Sequence, residues 1–305
     1  MTEDHRFGHV ALIGPTNAGK STLLNRIIGQ KISIVSPKPQ TTRNRISGIF
    51  TREDAQIVFL DTPGLNDNKK GISSLLMRSA WNSLAQADLI LLVLDADLYS
   101  RKPGELERDL RPLLKGASGS PAPILAALNK VDKVKEKARL LPVMERLAEV
   151  WPQAEFFPLS AKQGQGVDAL LDGVRQKLPF GPPFYAEDEI STAPLRFMAS
   201  EIIREKLFLS LGQELPYSTA VMVENWDETS RPGMTVIDAV IYVARESHKG
   251  IVIGKRGELL KKIGSEARLE IEELTDGKVF LELWVKVRRD WTGDEIFIRS
   301  LGIGE

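Results

Sequence analysis

Over the first 180 positions the apolar residues fall into short β-type runs: Val10 to Ile13, Ile46 to Phe50, Gln56 to Leu60, Leu89 to Leu94, Ile124 to Leu128 and Glu155 to Leu159. Between them, Lys20 to Gly29, Ser73 to Ala85, Gly104 to Leu114, Lys135 to Val150 and Val167 to Lys177 read as helices. Strand and helix in alternation predict an α/β domain, a mainly parallel sheet with helices on both faces, whose ligands gather at the carboxyl ends of the strands. From Pro179 to Pro194 the texture changes to PFGPPFYAEDEISTAP, where four prolines and the acidic Glu187, Asp188 and Glu189 break any periodicity. That stretch reads as an interdomain linker. Beyond it, Leu195 to Leu211 carries apolar residues at helical spacing, and Thr219 to Trp226 and Thr235 to Val243 read as strands. Glu258 to Glu273 is again helical in character, and Val279 to Val287 alternates, with Leu281, Leu283, Val285 and Val287 on one face. The expected organisation is an α/β domain over 1–180, a linker over 181–194 and a smaller α+β domain over 195–305.

Composition narrows the partners. A chain of 305 residues has room for about two domains. Its 41 Lys and Arg balance 41 Asp and Glu, so a nucleic-acid partner must be met by a local basic patch rather than by a basic chain. Cysteine is absent, which excludes a disulfide framework or a thiolate metal site, and His5, His9 and His248 are too few to suggest a histidine-built one. The N-terminal MTEDHRFGH lacks the apolar core of a signal peptide, and no apolar run approaches the ~20 residues of a membrane span. The chain reads as soluble, with a cytoplasmic location expected.

The chemistry gathers at predicted strand ends. After Val10 to Ile13 comes Gly14, Pro15, Thr16, Asn17, Ala18, Gly19, Lys20, Ser21, and then the helical Thr22 onward. The spacing GxxxxGKS between strand and helix curls the backbone so that its N–H groups face a polyphosphate at the positive end of the helix dipole. Lys20 is expected to meet the outer phosphates and Ser21 a magnesium ion. Asp61, Thr62, Pro63, Gly64 follow the next long apolar run; Asp61 is placed to hold the magnesium ion through water, and the Gly64 N–H to sense a γ-phosphate. Asn129, Lys130, Val131, Asp132 close another run, and the Asp132 carboxylate can accept two hydrogen bonds from guanine where adenine offers no matching donors. Ser160, Ala161, Lys162 follow the last strand of the domain, placing an Ala161 N–H for the guanine oxygen. The polar loop Ser33 to Arg43 supplies Thr42, or in second place Thr41, to the metal shell, so that Ser21, Thr42 and Asp61 form the metal set. Together with Gly64 to Gly71 it makes a pair of switch segments.

These motifs resemble the translation-factor-related class of P-loop GTPases. Position 65 is Leu, which cannot orient a water, so the subclass implied is the one with a hydrophobic residue there. Some of its members hold a potassium ion partly through the loop Asn, which maps to Asn17; a purely structural role for Asn17 stands beside that one. The groups implied to act on the γ-phosphate are Lys20, Thr42, Gly64 and Asn17.

In the second half, Lys249, Gly250, Ile251, Val252, Ile253, Gly254, Lys255, Arg256, Gly257 places a GxxG loop between an apolar stretch and a helix, the context of a KH module that clamps a single-stranded nucleic-acid backbone. Residues 245–262 carry six Lys or Arg against Glu246 and Glu258. Lys249, Gly254, Lys255, Arg256, Gly257, Lys261 and Lys262 are the expected RNA contacts. Trp226, Trp284 and Trp291 are read as core or surface packing residues ahead of base-stacking ones. The ordered motifs HVALIGPTNAGKSTLLN, QTTRNRISGI, FLDTPG, LNKVD, LSAKQGQGVDALL, HKGIVIGKRGELLKKIGSEAR and LELWVKVRRDW resemble the Era family of bacterial GTPases over nearly the whole length. One departure is Pro15-Thr16, where the family pattern has another residue followed by Pro. The resemblance implies a type II KH domain, GTP and GDP with Mg2+ as ligands, and GTP hydrolysis. It also implies binding to the 3′ end of small-subunit (16S) rRNA, a role in small ribosomal subunit assembly, some association with the inner membrane surface, and a monomeric chain. Two other readings compete: a membrane-surface signalling GTPase whose KH-like domain binds protein, and an ATP-consuming kinase for which NKVD would be accidental.

Overall fold

The computed structural model describes residues 4–38, 41–44, 46–64, 72–117, 121–212 and 215–303. Residues up to Ser33 together with Thr42–Thr192 form one compact unit, and Ile34–Thr41 with Ala193–Ile303 form a second.

The first unit runs β1 (Arg6–Ile13), α1 (Lys20–Ile28), β2 (Ile46–Arg52), β3 (Ala55–Asp61), α2 (Ile72–Ala85), β4 (Leu89–Asp95), α3 (Ala96–Arg101), α4 (Pro103–Ala117), β5 (Ile124–Asn129), α5 (Leu141–Val150), β6 (Glu155–Pro158) and α6 (Val167–Lys177). Its six strands lie in the order β2-β3-β1-β4-β5-β6, and β2 alone runs antiparallel to its neighbour. β3 is buried along its whole length and β4 up to its last residue, which is why their sequences are apolar without alternation. Each of these strands then ends on a polar residue: Asp61 on β3, Asp95 on β4 and Asn129 on β5.

Three features differ from the sequence expectation, each for a local reason. The helix expected over 135–150 divides into a 3-10 turn at Lys137–Leu140 and α5, because Pro142 in the first turn suits a helix start and lacks the N–H a helix interior needs. Helix α3 has six residues, too few to show periodicity, and is started by the Asp95 carboxylate, which accepts the N–H of Leu98 at 3.0 Å. The proline-rich stretch is bound to the first unit as far as residue 192. The buried Gln56 side chain accepts the N–H groups of Phe184 and Tyr185, both at 2.8 Å, and donates to the Tyr185 carbonyl at 3.0 Å. Ile49 N–H donates to Ile190 O at 2.9 Å, so the stretch also lies along the outer side of edge strand β2.

The second unit runs α7 (Leu195–Ser210), β7 (Thr219–Asp227), β8 (Met234–Val243), α8 (Glu246–Ile253), α9 (Glu258–Thr275), β9 (Lys278–Val287) and α10 (Glu295–Ser300). Its sheet is β7-β8-β9, with β8 antiparallel to β7 and parallel to β9. The parallel pair needs a crossover, and α8 and α9 supply it. Ile263, Ala267 and Ile271, four residues apart on α9, are fully buried with Ile203 and Leu207 of α7 and Ile237 and Ile241 of β8. Segment Ile34–Thr41 belongs to this unit and is tied to α7 and its C-terminal end by hydrogen bonds between side chains and backbone. Val35 N–H donates to the Glu205 carboxylate at 2.8 Å, Arg204 donates to Thr41 O at 2.6 Å, and the Lys38 ammonium donates to the carbonyls of Phe208 and Leu211 at the helix end. Of the three tryptophans, Trp291 is buried with its Nε1 donating to Ser218 O at 3.1 Å, and Trp226 is half-buried against the core. Trp284 is 55% exposed on edge strand β9, the surface position that the expectation also allowed.

Candidate functional site

The loop after β1 carries the first set of groups. Gly19 stands at φ 97°, and a Cβ there would lie 2.3 Å from Asn129 Nδ2, so only glycine fits. Helix α1 starts immediately after, at Lys20, so its positive end opens on the loop. The Lys20 ammonium is buried and donates to the carbonyls of Gly14 at 3.0 Å and Pro15 at 2.9 Å. Burial pulls it down from its ordinary value to about 8, with the Asp61 carboxylate opposing. Pro15 and Ala18 are buried, Thr16 and Thr22 half-buried, and Asn17 exposed at φ 62°.

At the end of β3, Asp61 is fully buried. Its Oδ2 accepts the hydroxyls of Ser21 at 2.7 Å and Ser33 at 2.8 Å, and Ser21 Oγ lies 3.0 Å from Thr42 Oγ1. Ser21, Thr42 and Asp61 are thus gathered at one place. Burial pushes the Asp61 carboxyl upward, while Lys20, Ser21 and Ser33 pull the other way. Its second oxygen, Oδ1, is buried with no hydrogen-bond partner among the described residues. A buried carboxylate oxygen left bare beside two hydroxyls fits a hard cation that keeps waters and phosphate oxygens in its shell, as Mg2+ does. Thr62 donates its hydroxyl to Leu12 O at 2.7 Å and serves the sheet; Pro63 is buried and Gly64 packs against the backbone of Thr16. Leu65 and the rest of the expected switch to Gly71 lie outside the described residues, as do Pro39 and Gln40 of the first switch.

The end of β5 ties three motifs together through one side chain. Asn129, 2% exposed, donates from Nδ2 to Ala18 O at 2.9 Å and accepts on Oδ1 the N–H groups of Lys130 at 2.8 Å and Ala161 at 2.9 Å. The Ala161 N–H, expected to face the guanine oxygen, is therefore held by Asn129. Lys130 stands at φ 69° and reaches Asn17 O at 2.5 Å and Asp95 Oδ2 at 2.6 Å. Asp132 is half-buried on the 3-10 turn Val131–Lys133. Ser160 is buried, its hydroxyl accepting the Gln163 N–H at 3.2 Å, and Lys162 is exposed. Two residues outside the motifs also hold this end of the site. Arg26 donates to Ala161 O at 3.1 Å and Lys162 O at 2.5 Å, and Asp95 grips Lys130. Asp95 had a visible signal, a polar residue closing an apolar run as Asp61 and Asn129 do; Arg26 had none.

In the second unit, α8 ends at Gly254, where φ is 75° and a Cβ would come 2.6 Å from Leu259 Cβ, so the GxxG turn depends on that glycine for close approach. Arg256, at φ 53°, and Lys255 project as exposed cations from the turn, Lys261 and Lys262 are exposed on the first turns of α9, and Lys249 is half-buried on α8. Gly257 closes the turn and precedes α9 directly. The arrangement concentrates positive charge at two helix ends, suited to a sugar–phosphate backbone.

A mainly parallel sheet with a GKS loop, an acidic strand end and an NKVD strand end, followed by a GxxG unit, defines a P-loop GTPase joined to a KH module. The family model described as 50S ribosome-binding GTPase matches residues 9–130, and the KH domain model matches 214–292. The GTPase Era of Desulfovibrio desulfuricans is 54% identical over 304 residues, 99% of each chain, and that of Geobacter metallireducens 47% identical over 300 residues, 97% of each. Among solved structures, Aquifex aeolicus Era bound to GDP·AlF4− aligns with TM-score 0.88 and 38% identity, covering 97% of this chain and 99% of that one. An Era complex with MgGDPNP and nucleotides 1506–1542 of 16S ribosomal RNA aligns with TM-score 0.89 and 38% identity, covering 98% and 99%. The chain belongs to the GTPase Era family and is a GTP-hydrolysing enzyme. Among the described residues no helix is long and apolar enough to cross a membrane.

Proposed function

We propose that this chain binds and hydrolyses GTP in its first unit and binds the 3′ end of 16S rRNA with its second, acting in assembly of the small ribosomal subunit. The observation that carries the RNA half is the built GxxG turn with exposed Lys255 and Arg256, in a chain that aligns end to end with an Era bound to nucleotides 1506–1542 of 16S rRNA. On the nucleotide side, the loop N–H groups and Lys20 would hold the phosphates, Ser21, Thr42 and Asp61 the magnesium ion, and Asp132 the guanine edge. Magnesium supplies charge neutralisation across the phosphates when bound. Asn17, exposed within the loop, is the residue to which a potassium ion would bind, and hydrolysis that is faster in K+ than in Na+ would support that assignment.

The test is the double variant Lys255→Asp/Arg256→Asp, assayed on an oligonucleotide of the 16S 3′ end and for GTP hydrolysis. Loss of RNA binding with hydrolysis retained is expected. The wild-type slope of log K against log salt should also shrink by about 1.4 for two lost phosphate contacts on a single strand. Unchanged RNA affinity would refute the clamp. Binding to anionic vesicles or to a protein in place of the oligonucleotide would favour the membrane-surface reading.

A further inference from the structure

Asp95 closes β4 opposite Asn129 in the register of β4 and β5, inside the first unit and outside every motif used above. Its carboxylate has two employments. Oδ1 accepts the Leu98 N–H at 3.0 Å and starts α3; Oδ2 takes the Lys130 ammonium at 2.6 Å. The same ammonium donates to Asn17 O in the phosphate loop at 2.5 Å. Both partners are well shielded, Lys130 at 24% and Asp95 at 17% side-chain exposure, so solvent screens the pair less than it would a surface one. The lysine stem is therefore held at both its ends: by a backbone in the left-handed region at φ 69°, and by two fixed oxygens at its tip.

A nucleotide with its phosphates in the loop and its base at Asp132 must pass the Lys130 stem, because Lys130 spans from the NKVD strand end to Asn17. Ordering a free lysine costs side-chain entropy, and a stem ordered beforehand spares the nucleotide that cost. We propose that Asp95 is a positioning residue for guanine-nucleotide binding, which pins Lys130 against the phosphate loop so that the purine meets a preformed wall. The proposal rests on the assignment of Asp132 to the guanine edge.

The variant Asp95→Asn separates the two employments. Asparagine caps a helix as well as aspartate does, so the bond to Leu98 survives, while the charge that holds Lys130 is gone. Stopped-flow release of a fluorescent GDP from the full-length chain should be about tenfold faster in the variant, the range expected for loss of a shielded charge partner. KM for GTP should rise with it while kcat stays within about twofold, because the reacting phosphate is not touched. Lys130→Met should also speed release, and the double variant should release no faster than Lys130→Met alone, since both changes cut one interaction. Release within about twofold of wild type for Asp95→Asn, or additive effects in the double variant, would overturn the proposal. A merely structural role predicts a lowered melting temperature with additive effects instead. Asp132→Asn, run alongside with xanthosine nucleotides, keeps the two claims apart. If it fails to shift base preference, the base assignment fails; if it shifts and Asp95→Asn changes nothing, only the role of Asp95 fails.

Discussion

Replacing Asn129 by alanine should unfasten the nucleotide site from three directions at once. The side chain makes three hydrogen bonds, to Ala18 O at 2.9 Å, from Lys130 N at 2.8 Å and from Ala161 N at 2.9 Å, and it is only 2% exposed. Each bond is worth about 1 kcal/mol net, and each buried group left without a partner costs about 1–3 kcal/mol. Water reaches some of the vacated space, so the lower half of that range applies, giving a loss of about 3–5 kcal/mol. For a unit of this size, roughly 2–4 °C of melting temperature per kcal/mol places the drop at about 6–20 °C. The assay is thermal melting of the full chain followed through the transition that GDP shifts, with and without saturating nucleotide. At a ligand concentration of ~100 times Kd the wild type gains about 2.7 kcal/mol from binding, and the variant should lose most of that gain because Ala18, Lys130 and Ala161 are no longer held in register. Asn129→Asp keeps both acceptor bonds but sets a carboxylate against the Ala18 carbonyl, and it should also melt early. A melting temperature within ~3 °C of wild type, with the GDP shift intact, would refute the claim that Asn129 fastens the phosphate loop to the base-reading motifs.

Three further outcomes are expected. Asp132→Asn should shift nucleotide preference from GTP toward xanthosine triphosphate, read as a ratio of dissociation constants; an unchanged ratio removes Asp132 from base reading. Gly254→Ala puts a Cβ 2.6 Å from that of Leu259 at φ 75° and should destabilise the second unit by about 1–3 kcal/mol, visible in denaturant melts, with weaker RNA binding. Glu201→Ala leaves the Arg204 guanidinium buried without the carboxylate that now accepts two bonds from it at 2.7 and 2.6 Å. A loss of about 3–5 kcal/mol is expected, mostly recovered when Arg204 is also replaced by Met.

How much of this was legible in the sequence depended on the length of the signal. The six strands of the first unit appear where the apolar runs placed them, because parallel strands buried on both faces leave few polar positions, and in the second unit α7, β7, β8, α9 and β9 lie where helical spacing or alternation put them. Strand-end residues such as Asp61 and Asn129 were visible for the same reason, as polar residues breaking an apolar run. The short α3 was hidden because one and a half turns carry no periodicity, and α10 because its six residues follow a polar turn. The fate of Pro179 to Thr192 was hidden by its prolines. They forbid a regular element yet say nothing against lying along a sheet edge, and the anchor is Gln56, one polar residue inside a strand. Tertiary commitments of single groups were the least legible: that Ala161 N–H goes to Asn129, that Asp95 grips Lys130, and that Ile34–Thr41 packs with α7 all join residues remote in sequence.

The proposal that this GTPase binds the 16S rRNA 3′ end is put to the test by one titration. Fluorescence anisotropy of an oligonucleotide with the 3′-terminal 16S sequence is followed as full-length protein is added with Mg2+ and a non-hydrolysable GTP analogue, beside a scrambled oligonucleotide and a GDP series. Tight binding of the 16S strand over the scrambled one is expected in at least one nucleotide state. Equal affinity for the scrambled strand, or no binding in either nucleotide state, would contradict it.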